Sequence, residues 1–301
     1  MPVRVPAPYL GEALESVLAQ DPAPDEVVIV DDGSMPALQL PDGVAGRARL
    51  VTTDAGGPAA ARAAGLRSTG ADLIALADAD DVWLPGKLAA QLEALDAHPD
   101  AALCFGRAEI VGGDGRATGE RWPELAAGMH PADSLQRALF EANPIPAASV
   151  VLRPGPLHEV GGFDGGPALP AGSDWELWLR LVAAGHAFVC EPRARIRYRR
   201  HAGGVTHDVA ALAEAGLAIH AAHAGLADAD TRRVVRAREL TSLARGRIRQ
   251  RRYGEARAAL REAAELSPPR PRERLLRMLA AVPGVRAGLG RRDPYGQAVS
   301  R

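Results

Sequence analysis

The chain has 301 residues, a formal net charge of −1, and 47% hydrophobic against 24% charged residues, the balance of a globular protein with ample core for one large domain or two smaller ones. No apolar run is long enough to span a bilayer, and the first residues carry no basic-then-apolar leader, so membrane-spanning and leader-bearing classes are not expected. Cys104 and Cys190 both lie in apolar stretches and are expected to be reduced, buried and structural, which fits the cytosol rather than a disulfide framework.

In chain order, Met1-Pro2-Val3-Arg4-Val5-Pro6 leaves no room for a strand before an amphipathic helix at 9–20, marked by Leu10, Leu14, Val17 and Leu18. Pro22 and Pro24 end it. Residues 26–30 form a β-branched strand that stops in Asp31-Asp32-Gly33-Ser34, where Gly33 permits a sharp turn. A Pro/Gly loop leads to a short strand at 49–52. A Gly-rich entry at 54–61 then opens a helix carrying Arg62, Leu66 and Arg67. Another strand, 73–77, stops in Asp78-Ala79-Asp80-Asp81, and a helix spans 85–98. Strand–helix alternation with short connections argues for a parallel α/β layer sandwich.

The middle of the chain carries strands at 102–106 and 109–111, a Gly-Gly-Asp-Gly turn at 112–115, and a further strand at 148–152. Gly161-Gly162-Phe163-Asp164 leads to a helix that opens with Ser173 and Asp174 and presents Leu177, Trp178 and Leu181 on one face. Residues 187–190 read as a last strand, followed by Tyr198-Arg199-Arg200-His201. Beyond 208 the pattern is helical and rich in Ala and Arg. Residues 241–266 are spaced like one helical hairpin of a tetratricopeptide-type unit, and a plain helical appendage is the simpler reading. Residues 230–301 hold 19 Arg against 7 acids, so an acidic body carries a basic tail. Within that tail, 275–282 is short, apolar and flanked by arginines, as an interfacial helix would be; a solvated basic helix is the alternative.

The acids at 78–81 organise the chemistry. They belong at the carboxyl end of their strand, the rim where open α/β sheets bind ligands. Strand alternation would send Asp78 and Asp80 to one side, roughly 6–7 Å apart at their backbones. Carboxylates that close repel unless a cation lies between them. A hard divalent ion shared with substrate phosphates would relieve the repulsion. The other reading is a polar turn with Asp81 as N-cap of the next helix, and the two are compatible.

Several motifs stand together: Tyr9-Leu10 with Ser16-Val17-Leu18-Ala19-Gln20; Val30-Asp31-Asp32-Gly33-Ser34; Gly57 through Ala61-Arg62; Asp78-Ala79-Asp80-Asp81 with Trp83, Pro85, Lys87 and Leu88; Gly162-Phe163-Asp164; and Asp174-Trp175-Glu176-Leu177-Trp178. In this order and spacing they resemble the nucleotide-sugar glycosyltransferases of the GT-A fold, glycosyltransferase family 2, over about residues 1–205. The resemblance implies an α/β, Rossmann-like mixed and mostly parallel sheet flanked by helices in 1–205, with a basic helical region in 206–301. It implies an inverting, metal-dependent transfer of one sugar from a UDP- or dTDP-type donor to an acceptor hydroxyl, in cell-envelope or secondary glycoconjugate synthesis.

Residue by residue, the resemblance implies that Asp31, with Asp32 beside it, meets the nucleotide base. Arg62 would approach the base or diphosphate, and Asp78 the ribose. Asp80 would hold Mn²⁺ or Mg²⁺ on the diphosphate, and Asp174 would act as general base. His201 is a candidate metal or phosphate ligand, with a solvated loop as its other reading. Asp31 and Asp32 also suit turn acids, and Arg62 a surface helix arginine. Asp174 with Ser173 makes an N-cap pair. Trp175 and Trp178 are candidates for the acceptor cleft, although helical spacing places Trp178 in the core. The implied partners are a nucleotide-sugar donor and a carbohydrate or lipid-linked acceptor, with peripheral membrane contact through the tail and no nucleic acid. The implied location is the cytoplasm, at the inner face of the membrane.

Three departures qualify the resemblance. The family's first strand, central in the sheet, is missing ahead of Pro2, which places the native start upstream or leaves the protein crippled. Ala63 stands where an asparagine is usual, and Ser173 where an acid is usual. No Gln-x-x-Arg-Trp pattern of processive synthases is present, so single-sugar transfer is expected. Two other classes remain open: a catalytically silent GT-A domain that binds partners through its helical tail, and a nucleotidyltransferase, whose Gly-rich phosphate loop is not found.

Overall fold

The computed structural model of the chain describes residues 1–267 except 41–43, 45, 123, 165, 167, 168 and 170. The expected interfacial segment at 275–282 lies outside the described residues. The chain divides into two compact units, one of Met1–Ala168 and Ser173–Ala202, the other of Leu169–Gly172 and Gly203–Arg301.

The first unit opens with β1 (Pro2–Val3), α1 (Leu10–Leu18), β2 (Val28–Asp32), β3 (Arg49–Thr53) and α2 (Gly57–Arg67). It continues with β4 (Ile74–Ala75), β5 (Val82–Trp83), α3 (Lys87–Ala97), β6 (Ala101–Gly112), β7 (Ala117–Arg121) and β8 (Gly128–His130). Then follow α4 (Ala132–Glu141), β9 (Val150–Leu152), α5 (Pro154–Glu159), α6 (Ser173–Ala183) and β10 (Ala187–Arg200). This is a mixed α/β architecture in which helices flank the sheet. β1, β2 and β3 pair in parallel, and so do β6 and β10. The remaining ladders, β10 with β5 and β8, β9 with β4 and β6, and β6 with β7, are antiparallel.

Each element follows from its residues. α1 buries Leu10, Ala13, Leu14 and Val17, one apolar stripe at helical spacing, and each large side chain contributes about 1.5–3 kcal/mol on burial. Two polar residues, Ser16 in this helix and Gln20 just beyond it, tie it to the segment after the acids. The Ser16 hydroxyl accepts from the Trp83 N–H at 3.0 Å. The Gln20 amide donates to the Leu84 carbonyl at 3.2 Å and accepts from the Leu88 N–H at 3.1 Å. Trp178 is fully buried, its ring edge-on to Phe188, so the core reading of Trp178 holds. Cys104 and Cys190 are both buried and unbridged.

The structure departs from the sequence-based elements in several places. A strand does precede α1: β1 is two residues long and pairs Pro2 with Val30 and Val3 with Asp31. The strand at 73–77 contracts to Ile74–Ala75, and residues 78–81 form a turn closed by the Asp81 N–H on the Asp78 carbonyl. Strand alternation therefore does not apply to Asp78 and Asp80. The next helix starts at Lys87 behind Gly86, so Asp81 caps nothing; it is buried and accepts the Arg199 N–H at 2.9 Å. Residues 187–200 form one 14-residue strand rather than a short strand and a loop. A register shift between Cys190 and Arg195 absorbs Pro192. Gly106 of β6 permits this close approach, because a Cβ there would collide with the Ala194 carbonyl.

β1–β3 form one sheet and the other seven strands a second. β1 and β4 stand at ends of these two sheets. Between them opens a cleft of about 670 Å³ walled by Val17, Val28, Val30, Leu73, Ile74 and Val151 and also lined by Asp25, Glu26, Arg62 and Asp72.

The second unit is helical in its described part: α7 (Val209–Ala222), α8 (Ala229–Arg249) and α9 (Tyr253–Leu266). Asp208 caps α7 through the Ala210 and Ala211 N–H groups, and Asp228 caps α8 through Thr231, each cap contributing about 1 kcal/mol. α8 and α9 form a hairpin around Leu240, Ala244, Ile248, Ala256 and Leu260. Part of the arginine excess is paired, as in Arg236 with Glu262 and Arg252 with Glu255. Among the described residues no helix is long and apolar enough to cross a membrane.

Candidate active site

The site is built where β2, α2, the 78–81 turn, α6 and the end of β10 converge. β2 carries Asp31 and Asp32 at its carboxyl end, level with Thr52 and Thr53 of β3. Asp31 accepts the Ser34 N–H at 3.0 Å on one oxygen and the Leu38 N–H at 3.3 Å on the other. Burial pushes its carboxyl up, but the bonds from Ser34 and Leu38 outweigh this and hold it below the usual range. Asp32 accepts the Gly56 N–H at 2.7 Å and the Gly57 N–H at 3.0 Å, fixing the entry to α2. Gly33, at φ 64°, is required between them: a Cβ would lie 2.6 Å from the Ala55 nitrogen. Both acids thus shape the loops around the site as turn acids do, and Asp31 is only 2% exposed.

Arg62, on the second turn of α2, reaches across to Asp78 at 2.5 Å. Its guanidinium lies 5.8 Å from the Phe163 ring centroid. Burial works against its charge, but Asp78, Asp174 and Asp80 together raise its pKa. It is not a surface arginine. Its Nε is buried without a partner.

The turn splits its acids three ways. Asp78 faces Arg62, Asp80 faces His201 with 3.0 Å between Oδ2 and Nε2, and Asp81 turns inward to β10. Burial, then the Asp78 charge, raises the Asp80 carboxyl, while the His201 bond opposes the rise. Burial with Asp78 and Asp80 pushes Asp81 well above the carboxylate range, and its Oδ2 has no partner. His201 is edge-on to Tyr9 at 4.9 Å; it belongs to the site rather than to a solvated loop.

Arg199 holds this turn, and sequence reading missed it inside an arginine run. Its Nε donates to the Asp80 carbonyl at 3.0 Å, its guanidinium meets Glu12 at 2.6 Å, and it stacks 4.5 Å from the Tyr9 ring. It is 5% exposed. Only the uninterrupted length of β10 explains the placement, and the Glu-Pro pair at 191–192 conceals that length in the sequence.

Asp174, in the first turn of α6, is the carboxylate that faces this cluster from the other side. Burial raises it, against Arg62, the Trp175 N–H and the Asn143 side chain, which lower it, and with Asp78, which adds to the rise. The Asn143 amide donates to Asp174 Oδ2 at 3.1 Å, a contact that sequence reading also missed. α6 is moored to the loop before it by Arg180, which binds Glu176 at 2.9 Å and the Gly162 carbonyl at 2.7 Å. Trp175 donates to the Leu139 carbonyl at 2.6 Å and Trp178 to the Ile145 carbonyl at 3.3 Å. Both indole N–H groups thus serve backbone.

A carboxylate with a raised pKa, a buried cation shared by three acids, and an acid–histidine pair can together hold a polyanion and take a proton from a hydroxyl. Among the described residues no three His, Cys, Asp or Glu side chains cluster closely enough to cage a metal. A site completed by substrate oxygens needs only one or two protein ligands.

Comparison with known proteins agrees with this arrangement. A relative from Mycobacterium bovis, the uncharacterized protein Mb1547, is 32% identical over 208 residues, 66% of this chain, and the match spans 57% of that relative's length. Staphylococcus aureus TarS residues 1–349, solved with UDP-GlcNAc, superposes with a TM-score of 0.62 at 17% identity, covering 96% of this chain and 86% of that one. The mannosyltransferase PcManGT of Pyrobaculum calidifontis, solved with GDP-Man and Mn²⁺, gives 0.56 at 20% identity, with 96% and 81% covered. These two likenesses establish the GT-A fold. The model of glycosyl transferase family 2 matches residues 1–153, more than half the sequence, and on that match the chain belongs to glycosyl transferase family 2.

Proposed function

We propose that the protein is an inverting, metal-dependent glycosyltransferase that moves one sugar from a nucleoside-diphosphate sugar to an acceptor hydroxyl. The observation that carries this reading is the gathering of Asp78, Asp80 and Asp174 around the buried Arg62. Three carboxylates drawn from two separate segments have no structural need of one cation, whereas a donor site and a base do. Domain limits of 1–205 for the transferase and 206–301 for the helical region belong to the same proposal.

In this reading Asp31, Asp32, Arg62 and Asp78 bind the nucleotide portion, and Asp174 takes the acceptor proton. The acceptor oxygen attacks the anomeric carbon, the bond from that carbon to the diphosphate oxygen breaks, and the nucleoside diphosphate leaves with the bonding electrons. Attack from the face opposite the leaving group inverts the configuration. Asp80 and His201 fit a divalent first-row ion, because an oxygen and an imidazole nitrogen already lie 3.0 Å apart. Mg²⁺, which prefers oxygen, suits the pair less well than Mn²⁺. When bound, the ion supplies charge to the departing diphosphate. The neighbours solved with UDP-GlcNAc and with GDP-Man support a nucleotide-sugar donor and widen the expected bases from uridine and thymidine to guanosine. A cell-envelope or secondary glycoconjugate, as sugar or lipid-linked acceptor, is the acceptor class proposed.

A catalytically silent binding domain is the second reading, favoured by the cleft that divides the sheet. Turnover of UDP-, dTDP- and GDP-sugars with and without Mn²⁺ separates the two, comparing the native chain with Asp80→Ala and Asp174→Ala. Transfer that needs metal and Asp80, and that falls by at least about a hundredfold in Asp174→Ala while nucleotide still binds, supports the enzyme. No turnover of any donor, with nucleotide binding indifferent to Mn²⁺, supports the silent domain.

A further inference from the structure

Three indole N–H groups converge on one short stretch of backbone. Trp175 donates to the carbonyl of Leu139, Trp122 to that of Asn143 at 3.2 Å, and Trp178 to that of Ile145. The chain has only four tryptophans, so three of them are committed to residues 139–145. They do not come from one place. Trp175 and Trp178 lie on α6; Trp122 follows β7 and is itself packed edge-on against Tyr198 of β10 at 4.8 Å. An indole is a donor only, large and slow to reorient, so each contact fixes the carbonyl it meets more firmly than a flexible donor would.

The stretch so fixed carries one polar side chain that points back at α6. Asn143 Oδ1 accepts the Ile145 N–H at 3.0 Å. That contact decides the orientation of the amide, since an N–H needs the oxygen and not the nitrogen. The amide nitrogen is therefore the end presented to Asp174 Oδ2, at 3.1 Å. Asp174 stands in the first turn of its helix, where its carboxylate also meets the N–H of Trp175. The Asn143 bond adds a lateral hold from outside the helix. The amide holds Oδ2, while the charges of Arg62 on α2 and Asp78 in the turn act on the carboxylate.

We propose that Asn143 is the positioning residue for Asp174, held in place by the Trp122, Trp175 and Trp178 clamp, and that it sets which carboxylate oxygen is offered to the acceptor hydroxyl. This rests on the reading of Asp174 as general base. The groups facing Asp174 are Arg62, Asp78, the Trp175 N–H and Asn143. Removing the amide donor takes away one contact that favours the ionised carboxylate, so the acid limb of the rate profile moves to higher pH.

The test uses the full chain with Mn²⁺ and an active donor from the panel above, and four variants: Asn143→Asp, Asn143→Ala, Trp122→Phe and Asp174→Asn. Asn143→Asp still accepts the Ile145 N–H, so it keeps the loop bond and replaces the donation with a like charge against Asp174, while Asn143→Ala removes the donation without adding charge. The expected result is a kcat lowered at least about tenfold in Asn143→Asp and Asn143→Ala, an acid limb displaced upward, and nucleotide affinity unchanged. Trp122→Phe keeps the ring and removes the N–H, and is expected to lose kcat by a smaller factor, about threefold, in the same direction. Folded Asn143 variants with an unshifted pH profile and native kcat would overturn the proposal. So would variants that fail to fold, since Asn143 would then serve the fold alone. Asp174→Asn separates the two readings: full activity there removes the base assignment itself, whereas an inert Asp174→Asn beside an unaffected Asn143→Asp removes only the positioning role.

Discussion

Arg62 lies one salt bridge from Asp78 and within the field of Asp80 and Asp174, with 10% of its side chain exposed. Removing one member of this partly buried pair strands the other, at a cost of about 1–3 kcal/mol, whereas removing both costs less. Arg62→Met is expected to lower stability by that order and nucleotide affinity by at least about tenfold. Arg62→Met with Asp78→Asn is expected to recover much of the stability and none of the affinity. Denaturant unfolding and calorimetric titration of nucleotide read the two effects separately; equal recovery of both would make the pair structural only. Asp78 and Asp80 were legible as candidates because acids at a strand end are chemically conspicuous, and Arg62 and Asp174 only through the family resemblance. Asn143 and Arg199 were not. An asparagine before a proline reads as a helix stop, and an arginine among arginines reads as solvated charge. What distinguishes each is a partner 31 and 119 positions away, and such contacts leave no local trace.

At the scale of elements, α3 is joined to the sheet through an unusual pair. Lys87, the only lysine, is fully buried; its Nζ lies 3.9 Å from the Trp83 ring centroid and donates to Gln91 Oε1 at 2.7 Å. Gln91 in turn donates to the carbonyls of Cys104 on β6 and Ser149 ahead of β9. Burial lowers the Lys87 pKa to about 7, with the nearby Cys104 opposing the shift. In the unfolded chain the same amine titrates near 10.4. Between these values the unfolded state binds the extra proton, so this lysine's contribution makes stability rise with pH from about 7 to 10. Lys87→Met has no such term. The stability difference between Lys87→Met and the native chain is therefore expected to be most favourable to the variant at pH 7 and below, and to shrink by a few kcal/mol toward pH 10. Melting temperatures across that range check the slope; a constant difference would show that Lys87 keeps its charge in the fold. The helix itself was legible from its spacing, but its start was placed two residues early. The strands at 101–112 and 187–200 were read as fragments, because Gly106 and Pro192 look like breaks when the strand they pair with is not in view.

The whole molecule carries the class of fold that its alternating pattern announces, with helices on the sheet and a helical second unit. What the pattern did not announce is a sheet in two parts. The outer sides of β1 and β4 border one cleft whose wall is mainly aliphatic, so each leaves backbone donors and acceptors without a neighbouring strand. Such a border is adhesive: it will accept any extended apolar segment that can register with it, including one from a second copy of the chain. The native chain is expected to show concentration-dependent mass in sedimentation velocity and to brighten a hydrophobic dye. Leu73→Lys, which places a charge in the cleft wall, is expected to abolish both. If native and variant sediment alike as single species at every concentration, the edges are not available. The cleft would then govern solution behaviour as much as the acids govern chemistry: purified protein stored concentrated would lose material by strand exchange before it lost activity by any change at the site.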